Sequence, residues 1–370
     1  LAERDGMNRL LIGLTGNIAT GKSVVRRMLV NHGALGLDAD LIAHRTQYPG
    51  GKAYQGIIST FGPEILTPEK EISRAKLGEI VFANPDRLAA LEALVHPAVT
   101  ADIEEQIERA TLPIVVIEAI KLFESPLAGL CQSIWISQAS PEHQMERLLH
   151  ARHMPEELAR QRIEAQPPQA EKRQRANVVI NTEGEFKQTW QQVHQALNDT
   201  IQSEGVQPTP YINIDQKINV YPAGAVPPVA MEAFWQSNSG KALDNLYEQL
   251  AFNVVQVLMV QDHIAGMLIC EDWNFTSTLK EILLARDAAI ATEIILEAFR
   301  ISAIERQSEF LILSNQVAAH LSAEVSLKSA GYAQQAVHNL SFPAWQQAIL
   351  RQSDSQAEQL WVNVLTRDSE

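Results

Sequence analysis

Five short apolar runs punctuate the first two hundred residues: LLIGLTG (10–16), ALGLDAD (34–40), PIVVIEA (113–119), QSIWIS (132–137) and NVVIN (177–181). Each is too short for a helix core and nearly continuous in its apolar residues, which is how a strand buried on both faces reads. The segments between them carry the 3.6-residue period of amphipathic helices. Strands alternating with helices predict an α/β unit, a parallel sheet covered on both faces.

The pattern changes near residue 200. A Pro- and Gly-rich stretch predicts a linker over 202–211, leading into a first strand, INVYP (218–222). NVVQVLMVQD (253–262), HIAGMLICEDW (263–273) and TSTLKEILLAR (276–286) then read as three successive strands. The first two join at Gln261–Asp262–His263 as a hairpin. A helix follows over Asp287–Arg306, with Ile290, Ile294, Ile295, Ala298, Phe299 and Ile301 on one broad apolar face. A strand, EFLILS (309–314), and a helix ending near Gly331 complete an α+β order. The expected division is 7–201, a linker at 202–211, and 212–370.

At 370 residues and 46% hydrophobic residues the chain has the size and composition of two globular domains. No run approaches the ~18–20 apolar residues of a bilayer span. Cys131 and Cys270 lie too far apart in sequence to suggest a disulfide framework or a thiolate metal site. The net charge of −14 is uneven: residues 204–370 hold nineteen Asp and Glu against nine Lys and Arg. So acidic a surface repels phosphate polyanions, which argues against nucleic acid as a partner. The polar opening, Leu1 to Gly6, gives the expectation of a cytoplasmic chain without a secretory leader, its start at Met7 or at an unusual start codon. A membrane is not an expected partner; small molecules are.

The chemistry begins at Gly16-Asn17-Ile18-Ala19-Thr20-Gly21-Lys22-Ser23, an ungapped G-x-x-x-x-G-K-[ST]. It follows a buried strand, Leu10 to Thr15, and precedes a helix predicted over Val24 to His32. The two glycines let the backbone curl so that successive N–H groups face an anion, and the helix adds its positive end. Lys22 would reach between the β- and γ-phosphates, and the Ser23 hydroxyl would ligate Mg²⁺. The motif predicts ATP with Mg²⁺. Leu37-Asp38-Ala39-Asp40 closes the next strand at the carboxyl edge, where ligands bind in such sheets. A carboxylate there can take the proton of an attacking hydroxyl; a solvated turn with two aspartates is the competing reading.

Residues 8–200 resemble the dephospho-coenzyme A kinase family. The resemblance rests on LTGNIATGKS and LDADLIAH, and on Arg74, Val81, Phe82, Asn84, Pro85, His96 and Pro97 in SRAKLGEIVFANPDRLAALEALVHPAV. It continues through Glu118-Ala119-Ile120-Lys121-Leu122-Phe123-Glu124, Arg152, Arg162-Ile163, Gln166, Lys172 and Ala176-Asn177-Val178-Val179-Ile180-Asn181. It implies a P-loop kinase domain with a parallel sheet and a helical lid. The reaction it implies is transfer of the ATP γ-phosphoryl group to the ribose 3′-hydroxyl of dephospho-coenzyme A. Asp40 would be the base, Lys22 the phosphate ligand and Arg152 the lid arginine. ATP contacts would run from Gly16 through Val24 and include Asn181. The acceptor would lie against Asp38, Asp40, Arg74, His96 and Glu118, with His96 read as a helix-end residue. The chain departs from the family at Asn17 and Ala19, where small glycines are common, at Ile120 and Lys121, where Pro and Leu stand, and at Asn177, where an aspartate stands.

Residues 212–345 resemble the GNAT acetyltransferase superfamily at Arg286-Asp287-Ala288-Ala289-Ile290-Ala291, with a weaker echo at Ala323 and Gly331-Tyr332. The resemblance implies a C-terminal α+β GNAT-like domain with coenzyme A or acetyl-coenzyme A held at Arg286, Ala289 and Ala291. Alanine replaces the first glycine of that turn, and Leu327 stands where the general-acid tyrosine is usual. A leucine cannot protonate a thiolate, so a binding or structural module stands beside a working acyltransferase as the reading of this half. For the whole chain the rivals are a non-catalytic coenzyme A- or nucleotide-binding regulator and a P-loop kinase of another small nucleotide.

Overall fold

The computed structural model describes residues 9–207, 212–214, 218–273, 275–288, 290–321, 324–335 and 360–365. Five strands, β1 (Leu10–Thr15), β2 (Leu35–Asp38), β3 (Ile114–Glu118), β4 (Ser133–Gln138) and β5 (Val178–Asn181), pair in parallel in the order β2-β3-β1-β4-β5. They are the five apolar runs of the sequence. β1 and β3 are buried along their whole length, as two covered faces require. Around them lie α1 (Lys22–Asn31), α2 (Ala39–Thr46), α3 (Tyr54–Phe61), α4 (Arg74–Phe82), α5 (Pro85–Arg109), α6 (Pro141–His150), α7 (Glu156–Glu164), α8 (Gln169–Arg175) and α9 (Phe186–Glu204). β1 is flanked by β3 on one side and β4 on the other, so the chain order reverses beside it. The loop leaving β1 therefore opens into a crevice at the carboxyl ends of the strands.

One expectation fails in this half. His96 is not at a helix end: α5 runs 25 residues through Pro97. A proline there removes only the N–H that would bond the Ala93 carbonyl, and the apolar face on either side (Val95, Ala98, Val99, Ile103) packs on one core and carries the helix through.

The second half contains β6 (Ile212–Asn213), β7 (Ile218–Pro222), α10 (Pro228–Asn238), α11 (Leu243–Phe252), β8 (Val254–Val260), β9 (His263–Trp273) and β10 (Thr276–Leu284). It continues with α12 (Thr292–Glu305), β11 (Phe310–Leu313), α13 (Asn315–Leu321), α14 (Glu324–Ser329), β12 (Ala333–Gln335) and β13 (Leu360–Val364). Its strands form one sheet in the order β12-β13-β11-β10-β9-β8-β7-β6. All pairs are antiparallel except β10 with β11, which the crossover through α12 makes parallel. The three expected strands are β8, β9 and β10, and His263 belongs to β9 rather than to the turn. The expected helix over 287–306 starts later, at Thr292, because Arg286–Asp287 form a turn and Ala291 is extended (φ −65°, ψ 146°). The segment before Gly331 is helical over Asn315–Leu321 and Glu324–Ser329, and 322–323 lie outside the described residues. α10 and α11 have no counterpart in the sequence reading.

The two halves are packed on each other. One hydrophobic core joins residues of the first half, such as Ile12, Trp135 and Trp190, to Trp235, Leu246, Leu250, Val255 and Met267 of the second. Helix α1 lies at the centre of this contact. Its last residue, Asn31, is fully buried; its amide donates to the carbonyls of Leu250 (2.9 Å) and Asn253 (2.8 Å) and its oxygen accepts from Val255 N (2.7 Å). Arg27 of the same helix donates to the Asp272 carbonyl (2.8 Å) and lies 3.7 Å from its carboxylate, which Arg306 binds at 2.6 Å. Arg45 meets Glu309 at 2.7 Å and lies over the Phe275 ring. The first three residues of the expected linker, 202–204, belong to α9, which ends at Glu204 with Gly205 (φ 64°) after it, and 208–211 lie outside the described residues.

Candidate active site

The loop between β1 and α1 is built from its backbone. Gly16 (φ 152°) passes so close to Ser137 that an added Cβ would lie 2.7 Å from its carbonyl, and Gly21 (φ 82°) turns the chain into α1. Thr20 Oγ1 is held by the Asn17 carbonyl and by Ser137 Oγ, both at 2.8 Å, which anchors the loop to β4. Lys22 opens α1. Its ammonium is buried and folds back to donate to the carbonyls of Gly16 and Asn17, both at 3.0 Å. Burial lowers its pKa, Lys172 and Arg152 add to that, and Glu118 and Asp40 oppose it.

Three carboxylates line the same crevice as this lysine. Glu118, at the end of β3, is buried; it accepts from Ser23 Oγ (3.0 Å) and from Arg26 Nε (2.6 Å). Asp38, the last residue of β2, caps α2 by accepting from the N–H groups of Asp40 (3.0 Å) and Leu41 (3.1 Å). Its free oxygen faces Arg26 at 3.4 Å. With Asp38 spent as a cap, Asp40 is left exposed on the first turn of α2, facing the crevice. The walls around it raise its pKa, Asp38 and Glu118 raise it further, and Lys22 pulls it down.

Helices α6 to α8 close the loop from above. Ala19 packs with Leu148 and Ala159 in a small apolar cluster joined by Ile18, Met154 and Ile163. Gln166 Oε1 accepts from Ile18 N (2.6 Å), and Asn17 Nδ2 donates to the Pro167 carbonyl (2.9 Å). The two loop departures, Asn17 and Ala19, thus tie the loop to these helices. Arg147, absent from the sequence reading, donates to the carbonyl of Ala19 (3.0 Å), to Thr182 Oγ1 (3.0 Å) and to the Thr182 carbonyl. Lys121 points to solvent and pairs with Glu92 (3.1 Å), while Asn177 accepts from Ile134 N (2.8 Å), a bond that an aspartate makes equally well.

These groups line one cavity of about 860 Å³. Lys22, Ser23, Asp38, Asp40, Glu118, Arg147 and Arg152 all face it. Arg152 is exposed in the turn between α6 and α7. Six expected residues do not line it: Gly16, Asn17 and Thr20, which brace the loop against Ser137 and Pro167, and Asn181, Arg74 and His96. Asn181 instead holds the turn after β5, accepting from Glu183 N (2.8 Å) and exchanging hydrogen bonds with Gln192, so that Thr182 and Gly184 form the wall. Arg74 stands at the start of α4 beside Tyr48 and His44, and of these only His44 reaches the cavity. His96 is exposed on α5. The cavity also has a wall that sequence reasoning missed: Asp244, Tyr247 and Phe252, all from α11.

Among the described residues no group of three or more His, Cys, Asp or Glu is arranged to hold a metal ion. Ser23 Oγ and Glu118 do form an all-oxygen pair beside Lys22, which suits Mg²⁺, an ion that keeps most of its shell as water and phosphate. In the second half, Arg286 and Ala291 are exposed and Ala289 and Ala323 lie outside the described residues. Leu327 is a core residue beside Phe299 and Tyr332. Among the described residues no helix is long and apolar enough to cross a membrane.

A profile of the family described as Dephospho-CoA kinase matches residues 10–188. The dephospho-CoA kinase of Symbiobacterium thermophilum is 40% identical over 201 residues, 54% of this chain and 84% of that one. That of Carboxydothermus hydrogenoformans is 40% identical over 186 residues, 50% of this chain and 90% of the relative. A solved GNAT family acetyltransferase from Elizabethkingia anophelis, with acetyl-CoA bound, is 14% identical; the match covers 40% of this chain and 97% of that one, with a TM-score of 0.26.

Proposed function

The chain belongs to the dephospho-CoA kinase family, and we propose on that premise that it transfers the γ-phosphoryl group of ATP to the ribose 3′-hydroxyl of dephospho-coenzyme A. The observation that carries this reading is that Asp40 and Lys22 line one cavity and interact electrostatically there, with Glu118 and Arg152 in the same lining. The acceptor oxygen attacks the γ-phosphorus, the bond from that phosphorus to the β-bridging oxygen breaks, and ADP leaves. The proton of the hydroxyl passes to the Asp40 carboxylate. Lys22 and the loop amides hold the phosphates, and Arg152, on the exposed turn above, supplies positive charge to the oxygens in transfer. Asp38 lines the acceptor side of the cavity and, by capping α2, fixes where Asp40 points. Ser23 and Glu118 would hold Mg²⁺, which neutralises phosphate charge when bound.

The division into a kinase unit over 7–201 and a second unit over 212–370 is part of this reading, as is a cytoplasmic location, where ATP is the available donor. We read the second unit as GNAT-like. Support comes from the meander β8-β9-β10, the helix α12 and the return of β11 parallel to β10. Nothing in the core position of Leu327 favours acyl transfer. The reading is tested by phosphorus NMR of the product formed from ATP, Mg²⁺ and dephospho-coenzyme A. A new monoester resonance on the ribose 3′-oxygen supports it; ATP consumed with no such resonance overturns it.

A further inference from the structure

By its lining the cavity divides into three ends, two of them assigned by charge. The loop over Gly16–Ser23 is the phosphate end. Asp40, His44 and Glu118 mark the acceptor end. A nucleotide whose phosphates lie on the loop and whose γ-phosphorus faces Asp40 must run its base towards the third end. That end is bounded by Val24 of α1, by Gly184 and Phe186 at the start of α9, and by Tyr247 and Phe252 of α11.

Phe252 stands out there. It is 52% exposed although it sits in a concavity, and its ring meets Phe186 edge-on with 5.2 Å between centroids. A large apolar ring held half in water inside a pocket is a surface waiting for a flat partner. Its position is fixed rather than incidental. Leu246, Leu250 and Ala251 bury the other side of α11 in the shared core, and Asn31 grips the helix end through the carbonyls of Leu250 and Asn253. Helix α1 therefore carries the phosphate-binding Lys22 at one end and sets the height of Phe252 from the other. Beside it, Tyr247 donates to Glu232 (2.6 Å), which also pairs with Lys187 (2.9 Å), so the neighbouring polar groups are already satisfied.

We infer that the second half completes the nucleotide site: Phe252 forms an apolar wall against the purine ring of ATP. This rests on the kinase reading for the orientation of the nucleotide, and it gives the second half a part in phosphoryl transfer that needs no chemistry of its own. The test uses the full chain with Phe252→Ala, Phe252→Tyr and a control, Val229→Ala, at an exposed site on α10. Phe252→Ala should weaken ATP binding, read by calorimetry without acceptor, by about tenfold, the scale of one base–aromatic contact. The KM for ATP should rise alongside, with a much smaller change in kcat, and Phe252→Tyr should restore both. Inhibition by inorganic tripolyphosphate, which carries phosphates without a base, should change by less than about twofold in every variant. ATP affinity unchanged in Phe252→Ala would overturn the inference. So would an equal loss for ATP and tripolyphosphate, because Phe252 would then act by shaping the loop. If the wild-type chain binds ATP but releases no ADP with dephospho-coenzyme A, the kinase reading fails, and the calorimetric series still decides for or against Phe252.

Discussion

Replacing Asp272 by Asn probes the joint between the two halves. The carboxylate lies between two guanidiniums, Arg306 at 2.6 Å and Arg27 at 3.7 Å, and also accepts from Ser277 Oγ at 2.6 Å. Burial alone would raise its pKa, yet Arg306 and Arg27 outweigh it and hold Asp272 below the ordinary aspartate value. The side chains of Asp272, Arg306 and Arg27 are 19%, 6% and 10% exposed, so solvent screens them little. Breaking such a pair costs about 3–5 kcal/mol because the partner charges stay buried. Asn keeps a carbonyl oxygen for Ser277 and Arg306, so the lower figure, about 3 kcal/mol, applies. At about 2.1 cal/mol/K of unfolding entropy per residue, a cooperative unit of 370 residues should then melt about 4 °C lower. The assay is calorimetry of both proteins from pH 7 down to pH 3. An aspartate whose folded pKa is depressed stabilises above its unfolded value, near 3.9, and loses that contribution as pH falls through the folded one. The gap should therefore be full at pH 7 and narrow towards pH 3. Equal melting at pH 7, or a gap that does not narrow in acid, would mean that the charge of Asp272 does not hold Arg306 and Arg27 in the folded chain.

Asp40→Ala or Lys22→Ala should abolish phosphoryl transfer while leaving the circular dichroism spectrum and melting point near wild type; a folded Asp40→Ala protein that still turns over would remove Asp40 as the base. Because Asp40 must be ionised and its pKa is raised, the acid limb of kcat/KM should lie above the ordinary aspartate range, and a limb at or below that range would contradict the crowding described. His32 is buried against Trp190 and His194, and burial, with His194, pushes its pKa down to about 4 against the Met28 carbonyl, which pulls it up. The unfolded chain binds this proton near pH 6.5, so stability is full above that value and falls as pH drops towards 4. Urea unfolding should show a loss of about 2 kcal/mol between pH 7 and pH 5 that a His32→Gln variant lacks.

The parallel sheet was legible in the sequence because strands buried on both faces leave continuous apolar runs, and β1 to β5 are those runs. The phosphate loop was legible because its glycines and lysine are fixed by backbone geometry rather than by neighbours. Pro97 misled the reading of His96, since proline marks a break only where no tertiary packing carries the helix on. Helix α10 left little periodicity in PVAMEAFWQSN beside the Pro-rich segment before it, whereas LDNLYEQLAF carries Leu243, Leu246, Tyr247 and Leu250 at helical spacing, a stripe that was legible and passed over next to the strand that follows. What no local pattern could reveal was the fit of the halves. Phe252 reads as one more apolar residue before a strand, and it becomes a pocket wall only because α11 docks on α1 and α9. Arg147 likewise gains its part from Thr182 and Ala19, which lie far from it in sequence.

Steady-state ADP release by the purified chain identifies the acceptor. With ATP and Mg²⁺ in each case, dephospho-coenzyme A should be compared with adenosine, AMP and shikimate. Turnover should appear with dephospho-coenzyme A and stay at background with the others. Turnover with another acceptor in its place, or with none while ATP still binds, would exclude dephospho-coenzyme A as the acceptor.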